Sequence, residues 1–259
     1  EFITMFGNDK VGDIACRFLI KNHISVDFIT RYQGNTRVAL AFLDEDNNAE
    51  YTFFRPSLEK RMTFPEPGKN DIVFFGSSFA IKEKGREELM RFIKRSENNG
   101  AIIMYDPNFR KTNDRNQEQL KDKIRQNIAL ADIVKGSDED FSNIFGTNSA
   151  NLAWEKLSTI KRIPLVYTAS KKGIAVKTNG FEKYYKVPSI QPVSTIGAGD
   201  AFSAGVIYQL YKTGIKKEEI NQIREPQWDK IIETSTAFAQ HVCMHYDNYL
   251  SEEFAKKLK

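Results

Sequence analysis

Short apolar runs alternate along this chain with stretches of helical spacing. Phe2 to Phe6 reads as a buried strand closed by Gly7, and Asp13 to Asn22 carries Ile14, Phe18 and Leu19 on one helical face. From Thr36 to Arg55 two strand-like runs flank an acidic, Asn-rich turn, which predicts an antiparallel flap. After the Pro-punctuated loop FPEPGKN the alternation becomes regular. DIVFFGSS is a strand, Glu83 to Ser96 a helix, AIIMYDPN a strand, Gln117 to Ala131 a helix and ADIVKGS a strand. Asn151 to Thr159 then reads as a helix, IPLVYTAS as a strand, and Gly199 to Tyr211 and Asp229 to Met244 as helices. Nearly continuous apolar runs mark strands covered on both faces. Strand and helix in turn predict a doubly wound α/β domain.

In such folds ligands bind beyond the carboxyl ends of the strands. The expected ends here are Gly76-Ser77-Ser78, Asp106-Pro107-Asn108, Lys135-Gly136-Ser137, Thr168-Ala169-Ser170 and the turn from Thr195 to Asp200. A single polar loop means little, but five small or polar ends at one edge predict a site.

Composition narrows the setting. The 259 residues are 41% hydrophobic and 28% charged, as expected of a folded chain. The net charge of +4 comes from 38 basic and 34 acidic residues that are interspersed. Pairs such as Lys216-Lys217 and Lys256-Lys257 sit beside acids and read as solvated helix faces, so no nucleic-acid partner is expected. Two distant cysteines, Cys16 and Cys243, do not suggest a disulfide framework. No apolar run approaches the ~20 residues of a membrane span, and EFITMFGNDKVGD has no signal-peptide pattern. A cytoplasmic protein with no membrane partner is the expectation.

The segment Gly197-Ala198-Gly199-Asp200 poses a chemical question. A Gly-rich turn entering a helix collects anions, so a carboxylate there should repel a phosphate. A dinucleotide fingerprint would need a third glycine where Phe202 stands, and the P-loop-like GNDKVGD has Asp13 in place of lysine. Asp200 as an ordinary first-turn helix acid remains open. The other reading is phosphoryl transfer to an alcohol. Backbone N–H groups of Ala198, Gly199 and Asp200 would bind the transferring group, while the Asp200 carboxylate accepts the proton of the attacking hydroxyl.

STIGAGDAFSAG resembles the C-terminal signature D-T-x-G-A-G-D-x-F of the ribokinase-like (phosphofructokinase B) carbohydrate kinases. The likeness covers nearly the whole chain. FITMFGNDKVGD is similar to the family's early strand and Gly-Asp-x-x-Gly turn, and NAEYTFFRPS to the flap of its fructokinase branch. FFGSSFA, YDPNFRK, VKGSDEDF and VYTASKKGIAV follow in the family's order. The resemblance implies a single three-layer, Rossmann-like α/β kinase domain over 1–259, with a small β-sheet lid at about 34–57. It implies transfer of the γ-phosphoryl group of Mg-ATP to a sugar hydroxyl, most simply that of fructose. Ribose, a ketodeoxy sugar acid or a nucleoside are alternative acceptors, and a non-catalytic sugar or nucleotide binder is an alternative of another class.

Carried over by position, Asp200 is the base and Gly197, Ala198 and Gly199 form the anion hole. Asn108, Arg110, Lys135, Ser137, Thr168, Ser170 and Gly173 are the ATP- and phosphate-binding residues, with Asp140 near Mg2+. Arg55, Gly76 and Asp200 would meet the sugar. The Thr36 to Arg55 hairpin would leave an exposed sheet edge, and pairing with a second subunit's lid would cover it, which predicts a homodimer.

The chain departs from the pattern at four places. Ser194 replaces the signature's first Asp, so a potassium (K+) site built there loses its carboxylate. Ser137 and Asp140 replace the Asn and Glu of Asn-x-x-Glu, and Ser170 replaces a glycine. The family's opening strand with a sugar-binding Asp and its Gly-Gly-x-x-x-Asn segment are not seen before Phe2, so the sugar pocket is expected to lack a wall. Apart from this pattern, His241 and His245 lie four apart on a helix with Cys243 between them. That spacing suits the start of a metal site or simple packing.

Overall fold

Strand and helix alternate as the apolar pattern predicts, in two units that span Glu1–Glu66 and Pro67–Lys259. The computed structural model describes residues 1–43, 49–54, 61–110 and 117–258.

In the smaller unit, β1 (Thr4–Gly7) pairs parallel with β2 (Ile29–Tyr32), and α1 (Lys10–Lys21) lies between them in sequence. Asp9 organises this unit. Its Oδ1 caps α1 by accepting from the Gly12 N–H at 2.8 Å and also accepts from Thr36 Oγ1 at 2.6 Å. Its Oδ2 accepts from the Thr36 N–H at 2.7 Å. Gly7 has no room for a side chain, because a Cβ would stand 2.2 Å from the Gly34 carbonyl oxygen. The expected hairpin forms from β3 (Val38–Leu43) and β4 (Ala49–Phe54), paired antiparallel from Val38 opposite Phe54 to Leu43 opposite Ala49. Its Asn-rich turn and Arg55 lie outside the described residues. The short strand β2 was not expected from the pattern.

The larger unit runs β5 (Ile72–Gly76), α2 (Arg86–Asn98), β6 (Ile102–Asp106), α3 (Gln117–Leu130), β7 (Ile133–Ser137), α4 (Asp138–Phe145) and α5 (Ala150–Ser158). It continues with β8 (Leu165–Thr168), β9 (Ile174–Lys177), β10 (Glu182–Tyr185), α6 (Ala198–Thr213), α7 (Glu225–Cys243) and α8 (Glu252–Lys256). One six-stranded sheet has the order β10-β9-β8-β7-β6-β5. Strands β5 to β8 are parallel, and β9 and β10 join antiparallel at the edge.

Every residue of β6 is buried, which requires cover on both faces. On one face Ile102, Met104, Ile133, Val166 and Val176 pack with Phe202, Val206 and Leu210 of α6 and with Trp228, Ile231 and Ile232 of α7. The alternate residues Ile103 and Tyr105 point to the other face, where α2 and α3 pack on β6. Helix, sheet and helix therefore form the expected three layers. Two local signals explain elements that the periodicity did not reveal. Ser137 and Asp140 form a capping box that starts the short α4, and the Asn179-Gly180 pair turns β9 into β10.

The histidine pair resolves into packing. His241 and His245 have ring centroids 4.5 Å apart, and the Phe254 ring of α8 lies 4.4 Å from His241. Among the described residues no group of three or more His, Cys, Asp or Glu side chains could hold a metal ion. The Ser251 N–H donates to His241 Nε2 at 3.3 Å, so the neutral ring helps dock α8 beside Phe238. Burial first, then His245 and Lys257, lower the His241 pKa, and Glu253 opposes them. A lowered imidazole value means that this contribution is whole above the ordinary range near 6.5. It is lost as pH falls through the folded-state value. Hydrogen exchange at Ser251, corrected for intrinsic rate, should therefore accelerate as pH falls below the ordinary imidazole range. Protection at Ser251 that stays constant with pH would show that the ring does not hold this segment.

Candidate active site

The parallel register lines up the strand ends singled out by sequence. Gly76 stands opposite Asp106, and Ser137 opposite Thr168, in neighbouring strands of one sheet. Among the described residues, three of the four non-glycine residues with positive φ sit at this edge: Ser77 (56°), Asn108 (37°) and Ser170 (47°). Such backbone is costly for residues with a Cβ and concentrates at sites where geometry is over-determined by its surroundings. The fourth, His23, merely follows the end of α1.

Helix α6 begins at this edge. Gly197 is its N-cap in the left-handed region (φ 80°), where a side chain would also press on Asn248 at 3.0 Å. The Ala198 N–H closes a turn on the Thr195 carbonyl at 3.3 Å. The N–H groups of Gly199 and Asp200 have no acceptor among the described residues. Two free donors at a helix start form an anion-binding concavity. Asp200 itself is exposed, and its carboxylate makes no hydrogen bond or ion pair among the described residues. Partial desolvation raises its pKa above the ordinary carboxyl value, and the charge of Asp106 adds to the rise. Lys135 and Arg110 pull the other way.

Beneath the turn lies a buried ion pair. Lys135 Nζ donates to Asp106 Oδ2 at 2.8 Å, and Asp106 also accepts from Ser203 Oγ at 3.3 Å and from the Asn108 N–H at 3.2 Å. The sequence reading gave Asp106 no role; its position in a row with Lys135 was the available signal. Lys135 thus faces the pair and the Gly199 turn instead of open solvent. Asp140 is equally engaged. Its Oδ1 accepts from the Phe109 N–H at 2.5 Å, and its Oδ2 from the N–H and hydroxyl of Ser137, each at 2.7 Å. Asn143 Nδ2 holds the Phe109 carbonyl at 3.1 Å, so the loop bearing Asn108 and Arg110 is clamped at one residue through both of its backbone polar groups. Burial raises the Asp140 pKa, and the donors of Ser137 and Phe109 oppose that rise.

The remaining expected residues divide. Thr168 donates from Oγ1 to the Gly136 carbonyl at 3.4 Å, beside the tight turn from Ser170 to Gly173. Gly173 (φ 116°) is held to glycine by the Tyr185 carbonyl oxygen, 2.6 Å from a notional Cβ. Gly76 is likewise explained by packing, since a Cβ would meet the Asp106 carbonyl oxygen at 1.9 Å. Buried Ser194 accepts from the Ile196 N–H at 3.2 Å and so stiffens the approach to Gly197. Arg55 lies outside the described residues. A separate cavity of about 360 Å³ opens at the start of β6, between Lys69, Ile102, Ile215 and Lys217, at the far end of the strand from Asp106.

The profile described as pfkB family carbohydrate kinase matches residues 1–245. The chain belongs to this family. As a pfkB carbohydrate kinase it is a phosphotransferase with a sugar hydroxyl as acceptor. A probable fructokinase-7 of Arabidopsis thaliana is 28% identical over 235 residues, which is 86% of this chain and 68% of that protein. The crystal structure of fructokinase from Vibrio cholerae O395, in its fructose-, ADP- and calcium-bound form, superposes with a TM-score of 0.83 at 20% identity. It covers 95% of this chain and 80% of that one. A ribokinase from Thermotoga maritima superposes with a TM-score of 0.68 at 17% identity over 99% and 80% of the two chains. The fold is therefore ribokinase-like.

At Ser170 this pfkB kinase keeps a left-handed backbone without the glycine expected there. A Cβ in that region costs ~1–2 kcal/mol, and glycine's extra unfolded-state freedom offsets ~0.5–1 kcal/mol of any gain. Ser170→Gly should thus stabilise the protein by about 0.5–1 kcal/mol, read as a higher midpoint in urea. A lowered midpoint would mean that the serine hydroxyl holds the turn.

Proposed function

We propose that this carbohydrate kinase transfers the γ-phosphoryl group of Mg-ATP to a hydroxyl of fructose, with Asp200 as the base. The observation that carries this reading is the pairing, in one turn, of a carboxylate and two N–H groups that have no partner among the described residues. The N–H groups of Gly199 and Asp200 bind the equatorial oxygens of the transferring group. The Asp200 carboxylate takes the proton of the hydroxyl as its oxygen bonds to phosphorus and the bond to the ADP oxygen breaks. Its raised pKa brings it nearer to that task. Fructose is favoured as acceptor by the fructokinases among the relatives.

Asn108 and Arg110 lie on the clamped loop beside this turn and suit contacts with the phosphates, while Thr168, Ser170 and Gly173 suit the nucleotide. Mg2+, when bound, would neutralise charge on the phosphate oxygens. Both Asp140 carboxylate oxygens already accept protein donors, which suits a contact through water better than direct coordination. No helix among the described residues is long and apolar enough to cross a membrane.

The hairpin supports a homodimer. Leu40 and Phe42 share a face with Phe54, which stands opposite Val38, and the three are 44%, 58% and 56% exposed. A second copy of the same face would cover them. Sedimentation should give a dimer at micromolar concentration and a monomer for Phe42→Lys. A wild-type monomer would remove this proposal.

The catalytic reading is tested by ADP release with Mg-ATP against fructose, ribose, adenosine and a ketodeoxy sugar acid. Fructose should give the highest kcat/KM. Asp200→Asn should keep ATP binding and lose ~10²–10⁴-fold in turnover, the span of general-base loss. Turnover in that variant close to wild type would defeat the assignment, and ATP binding with no turnover on any acceptor would favour a binder.

A further inference from the structure

A buried ion pair such as Asp106–Lys135 is by itself weak evidence for a role in stability. Each side chain is 6% exposed, so both charges have left water. Replacing such a pair by apolar side chains is often neutral or stabilising, and the strands around it are otherwise apolar. What the pair touches is more telling. Asp106 reaches the loop after β6 through the Asn108 N–H and the second turn of α6 through Ser203. Lys135 Nζ lies against the Gly199 turn, 3.3 Å from where a Cβ would stand. One salt bridge thus joins the loop of Asn108 and Arg110, strand β7 and the start of α6.

We propose that Asp106 and Lys135 are positioning residues for phosphoryl transfer, which fix the Gly199–Asp200 turn from behind and set opposing fields on the Asp200 carboxylate. The proposal rests on Asp200 acting as the base. Among the described residues the charged groups that face Asp200 are Asp106 from β6, Arg110 from the loop after it and Lys135 from β7. Asp106 opposes ionisation of Asp200, and Lys135 and Arg110 favour it. Removing either member of the pair leaves the other unbalanced, so the two single substitutions have opposite signs.

The test is the pH profile of kcat/KM for Asp106→Asn, Lys135→Met and the double variant. Loss of the Asp106 charge favours the Asp200 carboxylate, so the acid limb should move down by on the order of one pH unit. Loss of the Lys135 charge should move it up by a similar amount. The double variant leaves no unpaired buried charge and should fold even where a single variant does not. In it kcat should fall about tenfold or more while KM for the sugar stays nearly unchanged, as expected of a displaced turn. Limbs that stay fixed or move in the same direction overturn the proposal. Where the singles do not fold, a double variant with wild-type kcat overturns it. Residual activity of Asp200→Asn separates the two readings. An acid limb that persists there refutes Asp200 as the base, whereas a limb that disappears there but does not respond to the pair refutes only the positioning role.

Discussion

Two opposite charges held 2.8 Å apart out of water constrain everything at the carboxyl edge of the larger unit. Desolvation of each ion costs several kcal/mol, and the attraction compensates only where geometry is good and spare lone pairs are satisfied. Asp106 meets that condition by accepting from a backbone N–H and a hydroxyl as well as from Lys135. The constraint is passed outward. The Asn108 N–H turns back onto Asp106 just before a left-handed residue, and residue 199 must be small where the ammonium lies. Helix α6 then starts with its second and third N–H groups uncommitted, which is the chemical asset of the site.

Asp140 does for the neighbouring loop what Asp106 does for the helix. With one oxygen it caps α4 through Ser137, and with the other it holds the Phe109 N–H. Ser137 and Asp140 thus keep the spacing and the reciprocal hydrogen bonds of a capping box.

The amount of this that was legible in the chain follows physical lines. Strands β5 to β8 were legible because burial on both faces writes itself as an unbroken apolar run. The Gly197–Asp200 turn was legible because a carboxylate beside glycines at a helix start contradicts the usual preference for an incoming anion, and so asks for a chemical reason. Asp106 was legible as one polar strand end, but its pairing was not, because a carboxylate at the end of a strand and before Pro107 has the composition of any loop. Only the parallel register, which sets β6 beside β7, shows that it faces Lys135. The β9–β10 hairpin carried its sign openly in Asn179-Gly180, but its strands of four residues are too short for periodicity to speak. Ser137 and Asp140 were read for their chemistry with phosphate and metal, and the same spacing is also that of a capping box.

The contacts of Asp106 span very different lengths of chain. Lys135 is 29 residues away and belongs to the adjacent parallel strand, whereas Ser203 is 97 residues away. Closing the longer loop costs more entropy and must await most of the sheet. As the polypeptide emerges from a ribosome, β6 and β7 can therefore assemble, charges paired, well before the helix that carries Asp200 has been made. The catalytic turn docks onto a foundation laid earlier, and the pair spends that interval in water, where holding it together costs least.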